Sequence, residues 1–372
     1  MKNKIISNSW LIDKEQNYKI SQILHNDKHP EGLDLYRYQV IKTCCISLSE
    51  NGHILSMIKG NCKLVTTEHN LSLETGTHIY IPAETDIKIH AELGSEFILV
   101  SSPTKAQASG TDIIIRKEKF ICSSALSNQM FRWILTPQYL SRRIFLFHDK
   151  TLLSKAGVPI SWFRTTMFDV TGLPTNQDGT PVFKMSYNNH TEPNICYDIK
   201  GKASVRMAEH PYTKDNQKWL PWISLDNDST YYLDETLADA EWVVTHNKEK
   251  KPLRNKHEVF IEQGGHVSLF CIFDPAPTGS ERHSEGEYSE YQPLNQVVNT
   301  KAYDAYLSQI KTLDQAIDSL SLADARGEKP DIKDFNLYQQ GINEQKHLEK
   351  SLFESLTNQG AKREKILRHW MI

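Results

Sequence analysis

Between about residue 35 and residue 275 the chain is written in short alternating apolar and polar segments, each closed by turn-forming residues. This rhythm constrains the fold more than any other feature. Strand candidates are Tyr80-Ile81, Glu96–Val100, Ile113–Ile115, Ile144–Phe147, Trp162–Val170, Trp242–Thr245 and His266–Phe273. The pairs Asn51-Gly52, Thr75-Gly76, Leu93-Gly94, Asp178-Gly179 and Gly264-Gly265 separate them, and such pairs favour the tight turns that reverse a strand. Many short strands with few helices between them point to sandwiches or barrels.

After Pro277 the period changes. Tyr303, Tyr306, Ile310, Leu313, Ile317 and Leu320 recur at steps of three and four, which draws an apolar stripe down one helix face. The breaker Arg326-Gly327-Glu328-Lys329-Pro330 ends it, and Phe335, Tyr338, Ile342, Leu352 and Leu356 predict a second helix. Together they read as an antiparallel hairpin packed on a barrel or on a second subunit.

At 372 residues the chain exceeds one ordinary hydrophobic core, so two or more domains are expected. Forty-three basic against 46 acidic residues leave a net charge of −3, which offers no footprint for nucleic acid or an anionic membrane. Asp13 and Glu15 interrupt the N-terminal stretch before a signal-peptide apolar run can form, and no 18-residue apolar span occurs, so a cytoplasmic location is expected. Cys44, Cys45, Cys62, Cys122, Cys196 and Cys271 all fall in apolar strand-like segments without paired C-x2-C spacing. The expectation is that they are buried thiols acting as small hydrophobes.

The chemistry concentrates in residues 188–257. There Asn188-x-His190-x3-Asn194-x6-Gly201 is followed, after an insertion, by Pro252-x-Arg254-x2-His257. These spacings resemble the two metal-binding motifs of the cupin superfamily, His-x-His-x3-Glu-x6-Gly and Pro-x-Gly-x2-His. Two ligand slots hold histidine and two hold asparagine. The resemblance implies a mainly β fold of two cupin-like double-stranded β-helix barrels, followed by the C-terminal α-helical hairpin. The divisions expected are 1–110 for a degenerate first barrel, 111–280 for a working second barrel and 281–372 for the helical extension.

In the first barrel Gly60 matches the glycine of motif one, and Gly76-x5-Pro82 the start of motif two. Its ligand slots hold Ser47 or Ile46, Ser49, His53 and Ile87, and one histidine cannot make a metal site. His53 and His90 are read as ordinary strand histidines. In the second barrel, Asn188, His190, Glu192 and Asn194 would share one strand face if Pro193 introduces no bulge, and His257 would join them from motif two.

His190, Glu192 and His257 supply the two imidazoles and one carboxylate of the facial triad used by non-haem Fe(II) oxygenases. The reading is therefore a metal-dependent enzyme, with those three residues as metal ligands and catalytic centre and with Fe(II) or another divalent transition metal as cofactor. Asn188 and Asn194 would orient a small polar or anionic substrate, and the planar forks of Arg254 and Arg164 would anchor its anionic group. A metal-free epimerase or isomerase and a non-catalytic small-ligand-binding or scaffold protein are the alternatives. A homodimer is expected.

Trp219 and Trp222 lie in the insertion between the motifs. They either narrow the pocket or, as favoured here, pack on the first barrel. The acidic stretch Glu281–Tyr288 is a linker or a lid. No P-loop, dinucleotide fingerprint or nucleophile elbow is present.

Overall fold

The computed structural model describes residues 4–7, 10–24, 34–48, 50–102, 112–120, 142–148, 164–171, 187–188, 192–207, 219–227, 229–233, 242–244, 250–252, 255–262, 265–273, 313 and 315–344. Strand β1 (Lys4–Ser7) precedes a first β unit made of β2 (Leu11–Ile12), β3 (Tyr18–Leu24), β4 (Asp34–Val40), β5 (Cys44–Ser47), β6 (His53–Lys59), β7 (Asn61–Val65), β8 (Asn70–Glu74), β9 (Thr77–Ile81), β10 (Lys88–Ala91), β11 (Glu96–Ser101) and β12 (Ile114–Lys117). The second unit holds β13 (Arg142–His148), β14 (Arg164–Thr171), β15 (Tyr187–Asn188), β16 (Glu192–Lys200), β17 (Ala203–Met207), β18 (Ile223–Leu225), β19 (Ser229–Leu233), β20 (Trp242–Val244), β21 (Lys250–Pro252), β22 (Asn255–Ile261) and β23 (His266–Phe273).

Both units follow one plan. In the first, β9-β6-β11-β4 form the centre of one sheet and β5-β10-β7-β8 the other; in the second the orders are β19-β16-β23-β14 and β15-β22-β17-β18. Counterparts replace one another strand for strand, with the β20–β21 hairpin as an extra piece in the second unit. Each unit is thus an eight-strand jelly roll, the architecture of a double-stranded β-helix. Among the described residues its two sheets stay separate and do not close into a continuous barrel.

Burial explains why some strands alternate in sequence and others do not. β8 and β10 read exposed and buried in strict turn, because only one face of their sheet meets the interior. β9 is buried at every position and β6 at its first five, because their sheet is covered on both faces. One face lines the first unit with Leu55, Met57, Ile79, Ile81, Phe97 and Leu99, packed against Ile46, Cys62, Leu64, Leu71, Ile87 and Ile89 of the facing sheet. The other face carries Leu35, Ile54, Tyr80, Ile98 and Val100, which pack against Ile195 and Phe270 of the second unit and against Leu313 and Ile317. That second cluster is the seam between the units.

Polar contacts fasten the seam. Arg37 of β4, paired with Glu96 of β11, donates through Nη1 to the carbonyls of Cys196 (3.2 Å) and Asn227 (2.6 Å) in the second unit. Two strands also cross the divisions drawn from sequence: β1 pairs with β19 of the second unit, and β12 with β9 of the first.

The C-terminal hairpin consists of α1 (315–326) and α2 (332–344). Gly327, at φ +70°, caps α1; its N–H reaches the carbonyl of Asp324, and that of Glu328 the carbonyl of Ala323, the paired bonds of a Schellman ending. Asp331 caps α2 by accepting the N–H of Lys333 at 2.7 Å. Ser319 bonds Asp334, and Gly341 sits so close to Leu313 that a Cβ would come within 3.0 Å of it, so the helices run antiparallel. The hairpin docks on β12 and the 3-10 turn at Glu118–Phe120, through Arg116 to Asp318, Lys117 to Asp324, Lys119 to Asp324, and Phe120 edge-on to Tyr338. Tyr303, Tyr306, Ile310, Leu352 and Leu356 lie outside the described residues.

The thiols differ from expectation. Cys62 and Cys196 are buried, and burial pushes both up to about 12, so neither is a thiolate at neutral pH. Cys45 is exposed and Cys44 half-buried, because β5 is an edge strand with only Ile46 turned inward. Cys122 lies outside the described residues.

Candidate functional site

Turn glycines align the two units. Gly60 closes β6 onto β7 at φ +75°, and Gly201 closes β16 onto β17 at φ +80°, both in the left-handed region. A Cβ on Gly60 would lie 2.9 Å from the Cα of Ser95, and one on Gly201 would run into the carboxylate of Glu262, which accepts the N–H of Lys202. Counting back from these glycines makes His53 and Asn194 equivalent. Both are buried, on corresponding strands.

The motif-two turn of the first unit repeats the logic. Glu84 stands in the slot where the motif has glycine and holds φ +64°. Ile87, three positions on, fills the histidine slot and is buried in the interior cluster. Ile46 is the inward residue of β5 and Ser47 is exposed. His53 bonds Ser101 Oγ through Nδ1 at 2.9 Å, and His90 is exposed. The described interior of the first unit is therefore an apolar core.

In the second unit, strand register places the slots. Ala203 with Ile261, and Val205 with Val259, are paired positions on β17 and β22 whose described members are buried, which marks the inward face. Met207 pairs with His257 of β22, and Asn188 with Asn255 of the same strand. Across the interior, Ile195 faces the seam, so Asn194 and Cys196 take the opposite, inward face of β16. Asn194 is 0% exposed.

The expectation that residues 188 to 194 form one strand does not hold. Asn188 belongs to β15 in one sheet and Asn194 to β16 in the other. Alternation along one strand therefore cannot relate them; they belong to opposite walls. Glu192 stands two positions before Asn194 in unbroken register with β19. Arg164 stands two positions before Thr166, in register with β23. His190 and Arg254 lie outside the described residues, as does the stretch 281–288.

Register also reveals neighbours that sequence spacing missed. Tyr231, Asn194, Cys271 and Thr166 stand opposite one another across β19, β16, β23 and β14 in a single row. The signal for this row is visible only in pairing, since its members are far apart in the chain.

Trp219 and Trp222 lie against a side chain of their own unit. Their ring centroids lie 4.6 and 4.7 Å from the guanidinium carbon of Arg206 on β17. Two cation–π contacts hold the insertion on its own unit, and Trp222 stays 38% exposed.

A buried array that sequence reading also missed lies at the seam. His78 of β9 contacts Ser56 Oγ through Nδ1 at 2.8 Å and Glu118 Oε1 through Nε2 at 3.0 Å. Its ring stacks on Phe270 of the second unit, centroids 6.1 Å apart and planes 5° from parallel.

The duplicated strand order and the left-handed glycines at both motif-one turns decide the architecture. The fold is a double-stranded β-helix present twice, the architecture that the cupin-like motif spacing implies. Similar solved structures include an IolB-like protein from Salmonella typhimurium (TM-score 0.47, 10% identity, 73% of this chain and 93% of that one). A cupin 2 conserved barrel domain protein from Leptotrichia buccalis scores 0.41 at 10% identity, over 74% of this chain and 98% of that one. A mutant of oxalate decarboxylase from Bacillus subtilis scores 0.43 at 12% identity, over 74% and 78%. No family model matches the sequence, and no curated protein matches it. Among the described residues, no cluster of three or more His, Cys, Asp or Glu side chains could hold a metal, and no helix is long and apolar enough to cross a membrane.

Proposed function

We propose that the second unit of this cupin is the working half, a metal-dependent enzyme acting on a small polar or anionic metabolite, with Fe(II)-dependent oxygenation as its reaction. The observation that carries this reading is the contrast between equivalent slots. The first unit fills the motif-two slot with buried Ile87, whereas the second has His257 at that position, with Asn188 on the same wall and Asn194 on the facing one.

The donor types suit the metal. His190, Glu192 and His257 would supply two neutral imidazoles and a carboxylate, a set suited to Fe(II), with Glu192 on β16 and His257 on β22, strands of the two sheets of this unit. The bound ion would act as a Lewis acid and template for oxygen. The chain's own polar groups do the rest. Asn188 and Asn194 each offer an amide that can both donate and accept, orienting substrate or water, while Arg254 and Arg164 supply planar forks for a carboxylate or phosphate.

The test is elemental analysis of protein purified without chelator or affinity nickel, beside His190→Ala and His257→Ala. Near-stoichiometric iron that is lost in both variants is the expected result. One observation favours a second reading: Asn194, where the motif has a carboxylate, is a buried neutral amide. A metal-free epimerase or isomerase would take no Fe(II) under anaerobic addition, and its turnover would be unaffected by chelators.

A further inference from the structure

The array around His78 belongs to no catalytic slot, yet it joins three parts of the molecule. Ser56 is on β6 of the first unit, Phe270 on β23 of the second, and Glu118 on the turn after β12, among the residues that hold the helical hairpin. His78 is 1% exposed and Ser56 fully buried, while Glu118 retains one third of its side-chain exposure.

Hydrogen-bond chemistry fixes the resting state. A carboxylate only accepts, so the proton on a neutral ring is on Nε2, donated to Glu118; Nδ1 then accepts from the Ser56 hydroxyl. A second ring proton would turn Nδ1 into a donor, and Ser56 would have to reverse and find another acceptor where water does not reach. The charged surroundings already include a buried cation. Arg116, 5% exposed, stands directly opposite His78 on β12, and Asp318 of α1 is engaged with it. Lys117 and Lys119 flank Glu118 and are held by Glu74 and Asp324. Glu118 is thus the carboxylate facing the ring, and Phe270 covers it from the second unit.

We infer that the seam is an acid-sensitive joint: neutral His78 keeps the two units and the hairpin-bearing turn at Glu118–Phe120 together, and protonation of His78 loosens them. Burial holds the imidazole below its ordinary range against the opposing pull of Glu118. A histidine depressed in the folded state leaves the unfolded chain binding more protons, so stability is lost as pH falls below the unfolded value of about 6.5.

The experiment compares the intact protein with His78→Gln, whose amide still donates to Glu118 but cannot take up a proton. Backbone hydrogen exchange in β9, β12 and β23, corrected for intrinsic rates, is followed from about pH 7.5 to about pH 5, together with NMR of the labelled imidazole in the unmutated protein. The expected result is faster exchange in those strands on acidification, absent in His78→Gln, with His78 still uncharged near pH 6.5, where an exposed histidine is half charged. Identical pH dependence in both proteins overturns the inference. If His78→Gln does not fold, the imidazole titration decides alone, and a ring already charged at or above about pH 6.5 overturns it.

Discussion

Gly60→Ala and Gly94→Ala form a matched pair that separates backbone strain from crowding. Both glycines are in the first unit, at φ +75° and +82°, so an alanine at either suffers the same left-handed penalty of about 1–2 kcal/mol. Around Gly94 a new Cβ meets nothing within 4 Å. At Gly60 it would lie 2.8 Å from Ser95 Oγ and 2.9 Å from Ser95 Cα. Ser95 is not free to withdraw, since its hydroxyl donates to the carbonyl of Asn61 at 2.6 Å and accepts that residue's N–H at 3.1 Å. Overpacking against a fixed neighbour adds about 1–3 kcal/mol. Losing one of those hydrogen bonds adds about 1 kcal/mol. Gly60→Ala should therefore cost about 3–6 kcal/mol and Gly94→Ala only about 1–2. Urea denaturation followed by tryptophan fluorescence and circular dichroism reads the difference as a shift in midpoint at unchanged slope. Equal losses in the two variants would refute the argument that the motif-one glycine is required by close packing as well as by its φ.

Arg37→Met should destabilise by about 3–5 kcal/mol, because it strands the largely buried carboxylate of Glu96; a double-mutant cycle with Glu96→Gln should recover part of that loss, and no recovery would mean that the pair is not coupled. Partial burial pushes the Asp324 carboxyl up, but Lys117 and Lys119 overcome it and hold it below the usual range, while Lys119, ahead of Lys117, does the same for Glu74. The stability this provides is present above the unfolded value near pH 4 and is lost as pH falls through the lower folded values. Asp324→Asn should flatten the acid limb of the stability curve by roughly 0.5–1 kcal/mol, the modest size set by solvent screening, and an unchanged limb below about pH 4 would count against the clamp. Asp331→Ala should cost about 1 kcal/mol and speed amide exchange in the first turn of α2, an effect that circular dichroism and exchange can both register.

Much of the strand inventory was legible because local period and turn chemistry are local properties. The predicted segments at Glu96–Val100 and His266–Phe273 coincide with β11 and β23, and Thr75-Gly76 and Leu93-Gly94 mark turns. The hairpin was legible for the same reason, with Gly327 ending one helix and Asp331 starting the next. Period says nothing about which sheet a strand joins, and that is why residues 188 to 194 were read as one strand when they span two walls. The partners of Trp219, Trp222 and His78 were invisible on similar grounds, since their contacts are with Arg206, Phe270 and Glu118, fixed by pairings between distant strands. Cys45 was misjudged because an apolar neighbourhood in sequence does not distinguish an edge strand from a central one.

The pairing of Lys4–Ser7 with Ser229–Tyr232 has a bearing on biosynthesis. During vectorial synthesis β1 emerges before β2 to β12, yet its partner β19 is made only after the whole first jelly roll and half of the second have appeared. The strands β2 to β12 can pair among themselves meanwhile, but β1 must wait as an unpaired, apolar-tipped ribbon, open to mispairing with any exposed sheet edge. Its late capture is a long-range closure of high contact order, so the N-terminal strand should be among the last pieces to become protected in refolding. Lys4–Ser7 is thus a seal that can be set only when the second unit is in place.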